Sequence, residues 1–179
     1  MPKGVYKNVL GIDIYSAVTY DGIIKTLVRD LKYHNKKKLA KIQAQLMFEY
    51  WQSIDLQKDF LLLPVPVHKL RKKERKYNHM DLVAKEFALL SGYNFNNNFL
   101  VRIKDTQKQF NLNKKERIEN IKNAFALDLH QNIDKDTPLL IIDDITSTGI
   151  TLEENIKILK KNGYKNITCL TLATPDIWN

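Results

Sequence analysis

The sequence has one cysteine, few glycines and no long apolar run, and each shortage excludes a class of protein. Cys169 is the single cysteine among 179 residues, which excludes an internal disulfide and a multi-cysteine zinc site and is typical of a reducing cytoplasm. No run approaches the roughly 18 apolar residues of a membrane-spanning helix. Residues 1–18 lack an apolar core followed by a small-residue cleavage site, so we predict no signal peptide and a cytoplasmic protein.

Acidic residues are outnumbered by basic ones. The chain carries 29 Lys and Arg against 20 Asp and Glu, with a formal net charge of +9 and a pI near 9.5. This charge favours polyanionic partners, namely nucleic acid, phosphorylated metabolites or anionic lipid. A lysine-rich composition that serves only solubility would give the same charge. The overall charge therefore does not distinguish a polyanionic partner from solubility, and the local clusters of basic residues have to be considered.

Apolar patterning predicts an α/β fold with a central parallel sheet flanked by helices. Short apolar runs predict four buried strands, over residues 60–65, 99–103, 137–144 and 167–174. Helical spacing predicts helices over residues 21–34, 36–51, 79–92 and 149–163. In this order, strands and helices alternate as parallel strands joined by helical crossovers. We predict one domain, with a helical part over 1–55 and a sheet-containing core over 56–179.

The helical spacing also predicts which side chains face the core. In the first helix these are Ile23, Ile24, Leu27, Val28 and Leu31. In the second helix they are Leu39, Ile42 and Leu46.

One strand end carries an unusual combination of side chains. Residues 141–152 read IIDDITSTGITL, so that Asp143 and Asp144 end an apolar strand and a hydroxyl-rich loop leads into a helix. In parallel sheets, ligands bind beyond the carboxyl ends of the strands. Hydroxyls and the backbone N–H groups of a helix start suit a phosphate, whereas adjacent carboxylates suit vicinal hydroxyls or a metal ion. A ribose 5-phosphate satisfies both halves. The alternative, ordinary turn and cap chemistry, explains each residue singly but not the whole string. Neither GxxxxGK[ST] nor GxGxxG occurs elsewhere.

The string resembles the phosphoribosyl-diphosphate (PRPP) signature of the type I phosphoribosyltransferases. The resemblance implies that Asp143 and Asp144 contact the ribose 2′ and 3′ hydroxyls. It implies that the 5′-phosphate is held by the loop residues Thr146, Ser147, Thr148, Gly149 and Thr151. It also implies a type I phosphoribosyltransferase fold, with residues 1–55 as a small helical hood.

Two further stretches, 64–88 and 105–127, resemble the ComF-like competence proteins of this family. That family has Pro-Val-Pro, a basic run ending in Arg-Gly-Phe-Asn-Gln, and then Gln-x-x-Leu-x-x-x-x-Arg-x-x-Asn. Here residues 75–79 read RKYNH, with lysine in place of the glycine and histidine in place of the glutamine. A non-glycine residue at the second position limits positive φ angles. Many members begin with a four-cysteine zinc module, which this sequence lacks, so we interpret it as a short form.

The basic run HKLRKKERK (68–76) has six cations and one acid, and the resemblance puts it beside the diphosphate leaving group. Arginine forks suit a diphosphate, and we assign that role to Arg75. The remaining cations, assigned to nucleic acid or to solvent, are Lys69, Arg71, Lys72 and Lys73.

The polar stretch 102–117 matches the loop that closes over PRPP in this fold. Within it, Arg102, Lys104 and Arg117 are candidates for stabilising charge during catalysis.

Two functions remain open. The first is an enzyme that binds PRPP with Mg²⁺ and transfers the phosphoribosyl group to an acceptor that the sequence does not identify. The second is a non-catalytic protein that binds single-stranded DNA in natural transformation, with partners in the competence machinery.

None of the four histidines has metal-ligand spacing, and none is assigned a catalytic role. We predict no metal site formed by protein side chains alone.

Overall fold

The computed structural model describes residues 5–56, 58–105 and 114–175. Eight strands and six helices are formed within these ranges. They are β1 (Val5–Val9), β2 (Ile12–Thr19), α1 (Gly22–Tyr33), α2 (Leu39–Gln52), β3 (Leu61–Pro64), α3 (Lys69–Arg75), α4 (His79–Ser91), β4 (Asn94–Phe95), β5 (Leu100–Arg102), α5 (Lys114–Ile121), β6 (Phe125–Leu127), β7 (Leu139–Ile145), α6 (Ile150–Lys161) and β8 (Ile167–Thr174). None of the helices in the described part of the chain has the length and apolarity to cross a membrane.

A six-stranded sheet forms the centre of the fold, in the order β1-β2-β8-β7-β3-β4. All neighbouring strands are parallel except β1, which pairs antiparallel with β2. Helices cover both faces of the sheet. The predicted α/β architecture, a mostly parallel central sheet flanked by helices, is therefore confirmed.

The two faces of β7 pack against different layers, because successive side chains of a strand point to opposite sides. Leu140 and Ile142 join the core formed with α1, α2 and α4. Leu139 and Ile141 join the core formed with α6 and the small β5–β6 sheet. The apolar run that predicted this strand is buried on both sides, as is typical of a central parallel strand.

The predicted strand over 99–103 lies outside the central sheet. It forms β5, which pairs antiparallel with β6 in a separate two-stranded sheet. The crossover from β3 through α4 instead returns to β4, whose two residues pair parallel with Leu61 and Leu62. A strand of two residues is too short to show a strand pattern in the sequence. The apolar run over 99–103 shows a stronger pattern, so the sequence predicts a strand there and none at β4.

The first 19 residues were expected within a helical part of the chain, but they contribute strands. The hairpin turn between β1 and β2 consists of Leu10 and Gly11, both with positive φ (54° and 76°). Two-residue hairpin loops favour this geometry. β2 then pairs parallel with β8, within the same sheet as the core. The N-terminal part is thus helical only from Gly22 onward.

The helices largely follow the sequence prediction, although the buried face of α2 differs from it. Ile42 is 47% exposed, and the buried residues of α2 are instead Ala40, Gln43, Ala44, Met47 and Trp51. Gln43 is buried because its side-chain amide donates to the backbone carbonyl of Leu27. In α1, Ile23 is 74% exposed, whereas Ile24, Val28 and Leu31 are buried as predicted. The small alanines bring α2 close to its neighbours, which a search for large apolar residues overlooks.

The basic run 68–76 forms the helix α3 rather than a loop. His68 caps this helix, since its ring Nδ1 accepts from the backbone N–H of Leu70 at 3.4 Å. Lys76 ends the helix in the left-handed conformation, with φ 66°. The resembling motif has glycine at this position, so the chain keeps the left-handed turn at the cost of strain at a lysine.

Replacing Lys76 with glycine is therefore expected to raise the free energy of unfolding by about 0.5–1 kcal/mol. The gain is the relief of the left-handed strain, reduced by the larger entropy of glycine in the unfolded chain. Urea denaturation measures the change. The matched control is Lys85→Gly within α4, an exposed helical lysine whose replacement should cost about 1 kcal/mol. If both variants lose stability equally, the backbone at Lys76 is not strained.

Candidate functional site

A cleft of about 810 Å³ opens at the carboxyl ends of β3 and β7. Its volume falls in the range of pockets that hold small-molecule ligands. The described residues that line it are mostly basic, hydroxyl-bearing or acidic. They are Tyr20, Lys25, Val28, Arg29, Lys32, Tyr33, Val65, Pro66, Val67, Arg71, Arg75, His79, Arg102, Asp143, Asp144, Ile145, Ser147, Thr151 and Pro175.

The predicted acid pair lies in this cleft, with its two members on opposite faces of β7. Asp143 continues the row of Leu139 and Ile141, and Asp144 continues the row of Leu140 and Ile142. Both side chains are buried, at 9% and 5% relative exposure. The two carboxylates therefore meet different neighbours, although they are adjacent in the sequence.

Asp144 is bound by two side chains from the helices on its face of the sheet. Lys32 Nζ of α1 lies 2.5 Å from Asp144 Oδ2, and His79 Nε2 of α4 lies 2.6 Å from the same oxygen. Burial alone would raise the pKa of Asp144, but the charge and hydrogen bonds of Lys32 and His79 hold it well below its usual range. Asp144 is therefore a carboxylate throughout the physiological pH range.

Asp143 has a different electrostatic environment. Its Oδ1 accepts the backbone N–H of Asp144 at 2.8 Å. Burial, and then the negative charge of Asp144, raise the pKa of Asp143 to about 7, against smaller opposing effects of Lys32 and Arg102. Near pH 7, Asp143 therefore occurs in both its protonated and its ionised form, whereas Asp144 stays ionised.

The hydroxyl-rich loop follows β7 directly and leads into α6. Ser147 and Thr151 line the cleft. Thr146 is buried, and its Oγ1 has no hydrogen-bond partner within the part of the chain described. Gly149 precedes α6 with φ 80°, and no side chain caps the helix start. A buried hydroxyl without a partner and an uncapped helix start both suit an anionic ligand.

The N-terminal hairpin supports this loop from behind. Lys7 Nζ donates to the backbone carbonyl of Thr148 at 2.7 Å. A Cβ at Gly149 would contact Val9 at 3.5 Å and Ile14 at 3.9 Å. The loop is therefore held between the cleft and the β1–β2 hairpin, a relation that the sequence did not predict.

Four guanidinium groups line the cleft, those of Arg29, Arg71, Arg75 and Arg102. Arg71 and Arg75 are one helical turn apart on α3, and the Arg75 guanidinium lies 4.8 Å from the ring centre of Tyr33. Arg102 ends β5, where burial and the nearby charge of Arg71 lower its pKa to about 10. The structure thus brings Arg75 and Arg102 to the cleft as predicted. It also brings in Arg71, which was grouped with the nucleic-acid cations.

Other predicted residues lie elsewhere. Lys104 is exposed and donates to the backbone carbonyl of Lys122 at 2.9 Å, so the structure does not bring it to the cleft. Lys69, Lys72 and Lys73 are exposed on α3 outside the cleft lining, and Lys72 lies 3.7 Å from Asp81. The side chain of Arg117 is outside the described residues, as are residues 106–113 of the predicted closing loop.

The sequence analysis missed two residues that contact the acid pair, Lys32 and His79. Lys32 sits among many lysines, and nothing in its spacing marks it. His79 had a signal, because it replaces the glutamine that ends the resembling motif. That departure was noticed but not connected with Asp144, which lies 65 positions further along the chain.

The cleft was also tested for a metal site. Among the described residues there is no group of three His, Cys, Asp or Glu side chains that could hold a metal ion. A Mg²⁺ ion would therefore have to obtain most of its oxygens from a bound ligand and water, as Mg²⁺ commonly does with phosphates.

A parallel α/β sheet with paired acids, a hydroxyl loop and clustered arginines at its carboxyl edge has the layout that the phosphoribosyltransferase resemblance implied. The chain is a homologue of the ComF-like competence proteins. It is 29% identical to competence protein F of Haemophilus influenzae over 154 residues, covering 84% of this chain and 67% of that protein. It is 27% identical to the DNA utilization protein YhgH of Salmonella typhimurium, covering 92% and 70%. It is 24% identical to competence protein ComFC of Bacillus subtilis, covering 88% and 62%.

These relatives confirm the resemblance drawn from the motifs. No family model matches the sequence. Among solved structures, adenine phosphoribosyltransferase from Trypanosoma brucei aligns with a TM-score of 0.46 at 11% identity, covering 82% of this chain and 68% of that one. The corresponding enzyme from Leishmania tarentolae aligns with a TM-score of 0.43 at 15% identity, covering 79% and 73%.

Proposed function

We propose that the chain binds PRPP together with Mg²⁺ in the cleft and acts as a ComF-type protein in the handling of transforming DNA in the cytoplasm. The observation that carries the ligand proposal is one cleft that combines an acid pair, a hydroxyl loop and four arginines. A sugar with hydroxyls, a 5′-phosphate and a diphosphate needs each of these groups. The names of the relatives, which refer to competence and DNA utilization, support the biological role.

Each part of PRPP has a matching group. The ribose hydroxyls donate to Asp143 and Asp144, and carboxylate acceptors give charge-assisted hydrogen bonds. The 5′-phosphate accepts from the Ser147 and Thr151 hydroxyls, from the buried Thr146 hydroxyl and from the start of α6. The diphosphate pairs with the two arginines of α3. When bound, Mg²⁺ neutralises part of the diphosphate charge.

Phosphoribosyl transfer is the reaction that this arrangement supports. The bond between C1 of the ribose and the diphosphate oxygen breaks, and its electron pair leaves with the diphosphate. A nucleophilic atom of the acceptor forms the new bond to C1. Arg71, Arg75 and Arg102 stabilise the negative charge on the leaving group, while the carboxylates stabilise positive charge on the sugar ring. A proton carried by the acceptor's nucleophilic atom is released to solvent water.

Isothermal titration calorimetry with PRPP and Mg²⁺ tests the proposal. The wild-type protein is expected to bind, and Asp143→Asn/Asp144→Asn should weaken binding about 100-fold, because two charge-assisted hydrogen bonds are lost. Asp143→Asn alone is measured alongside, since Asp144→Asn also removes the anion that pairs with Lys32. Asp134→Asn/Asp136→Asn, with the same charge change before the amino end of β7, is the matched control. A wild-type protein that does not bind PRPP would refute the proposal.

Nucleic-acid binding is the second candidate function, and a specific surface favours it. Lys69 and Lys73 are exposed on α3, the helix whose Arg71 and Arg75 line the cleft. Tyr33, 56% exposed and stacked under Arg75, offers an aromatic surface to a base. A single strand could therefore run along α3 while PRPP or a nucleotide occupies the cleft.

The variant Lys69→Ala/Lys73→Ala tests this surface. We expect affinity for single-stranded oligonucleotides to fall by about tenfold at low salt, with a shallower dependence on salt concentration, because two phosphate contacts are removed. PRPP affinity should stay unchanged. Fluorescence anisotropy across a salt series measures the effect. Lys41→Ala/Lys85→Ala removes the same charge from exposed positions of α2 and α4 and serves as the control. Equal losses in both variants would mean that only net charge matters.

A further inference from the structure

Two donors from two different helices bind the same oxygen of Asp144. Lys32 Nζ lies 2.5 Å and His79 Nε2 lies 2.6 Å from Oδ2. Neither of these contacts is made to Oδ1. Lys32 is mostly buried at 19% side-chain exposure, and the side chains of His79 and Asp144 are each 6% exposed. The carboxylate is therefore held by both donors through Oδ2.

His79 donates a hydrogen bond to Asp144 through its Nε2. Burial, the dominant effect, lowers the pKa of His79 below its ordinary value despite the attraction of Asp144. Lys32 stays charged, because the charge of Asp144 and their hydrogen bond outweigh the effect of its burial and raise its pKa. Lys32 thus balances the charge of Asp144, and His79 adds a second, directional hydrogen bond to the same oxygen. Its other ring nitrogen, Nδ1, is buried without a hydrogen-bond partner within the described residues.

A buried polar atom without a partner is costly, and such a cost persists in proteins where the group has a task. The geometry indicates that the task is to orient the carboxylate of Asp144. A single donor on Oδ2 would leave the carboxylate able to rotate about its Cβ–Cγ bond. Two donors that converge on Oδ2 from α1 and α4 fix both the position and the plane of the group.

We propose that Lys32 and His79 are positioning residues that orient Asp144 so that its Oδ1 receives a ribose hydroxyl of the bound ligand. This inference rests on the proposed binding of PRPP. It gives the two carboxylates different roles: Asp144 is a fixed, permanently charged acceptor, and Asp143 is an acceptor whose charge depends on its surroundings. It also assigns a role to His79 that does not involve proton transfer to the substrate.

The test compares His79→Leu with His79→Gln, using Mg–PRPP and Mg–diphosphate as ligands in calorimetry. Leucine fills the space without donating, whereas the glutamine amide can donate to Oδ2 as the imidazole does. His79→Leu is expected to weaken PRPP binding about tenfold and to change diphosphate binding less than twofold, because diphosphate has no hydroxyl to present. His79→Gln is expected to bind PRPP within threefold of the wild-type protein.

Several outcomes would overturn the inference. One is a His79→Leu protein that binds PRPP as tightly as the wild type, and another is an equal loss for both ligands, which indicates general damage to the cleft. A His79→Gln protein as weak as His79→Leu would also contradict it. If His79→Leu does not fold, Lys32→Met is measured with the same two ligands and the same expectation. Failure of the wild-type protein to bind PRPP would instead refute the proposed function itself, so the two failures are distinguishable.

Discussion

Replacing Asp144 with leucine is expected to lower the free energy of unfolding by about 3–5 kcal/mol, the largest effect of any single substitution considered for the cleft. The substitution leaves Lys32 mostly buried without its anion, and His79 Nε2 loses the carboxylate oxygen that accepts its hydrogen bond. A buried charge without a partner costs far more than an exposed pair contributes. Urea denaturation followed by circular dichroism measures the loss.

The charge explanation predicts a specific rescue. In Lys32→Met/Asp144→Leu both charges are replaced by apolar groups of similar size, and at least half of the lost stability should return. Lys32→Met alone should cost less than Asp144→Leu, because Asp144 keeps His79, which can take up a proton in response. If the losses of the two single variants simply add in the double variant, Lys32 and Asp144 do not form an energetically coupled pair.

The affinity for PRPP is expected to rise about 30-fold between pH 5.5 and pH 8 through Asp143 alone. The pKa of Asp143 is raised to about 7, and the carboxylate form is the better acceptor for a ribose hydroxyl. The charged groups that act on it are Asp144, Lys32 and Arg102. The dependence should be steepest below pH 7, where each unit of pH changes the ionised fraction about tenfold.

Calorimetry of PRPP at several pH values measures this dependence, and Asp143→Asn is its control. The phosphates of the ligand also titrate near pH 6, and that contribution remains in the variant. The part due to Asp143 is the difference between the two profiles. Identical profiles would mean that Asp143 does not titrate in this range or does not contact the ligand.

The same carboxyl group affects stability in the opposite direction to Asp144. Because the folded-state pKa of Asp143 is raised, its contribution is fully present below about pH 4 and is lost as the pH rises through 7. The folded-state pKa of Asp144 is depressed, so its contribution is present above about pH 4 and is lost as the pH falls below that value.

The sequence predicted the parts of the fold in which local pattern and burial agree. The strand that contains Asp143 and Asp144 and the helix that starts after Gly149 were recognised, because an apolar run and an amphipathic pattern follow one another. The hairpin at Leu10 and Gly11 was missed, since leucine stands where Asn or Asp usually signals such a turn. The helix α3 was missed because its residues are almost all charged and bury no residue fully.

The part of the site whose residues are contiguous in the sequence was predictable. Residues 143–151 form one string, and the string itself carries the chemistry of sugar and phosphate. Lys32, Arg71 and His79 reach the cleft from three helices that are distant from the string in sequence. Their convergence depends on how the helices pack against the sheet. In a single sequence, nothing distinguishes a lysine or arginine that reaches the cleft from the many that do not.

The position of β8 has a consequence for how the molecule folds. β8 is formed by residues 167–174, yet it lies between β2 and β7 and joins the hairpin near the start of the chain to the remaining strands. During synthesis, the β1–β2 hairpin has no strand to pair with until nearly all of the described chain has emerged. Contacts between such distant segments slow folding and leave strand edges exposed in the meantime. The hydroxyl-rich loop, held between this hairpin and the cleft, therefore cannot reach its final arrangement before β8 has joined the sheet.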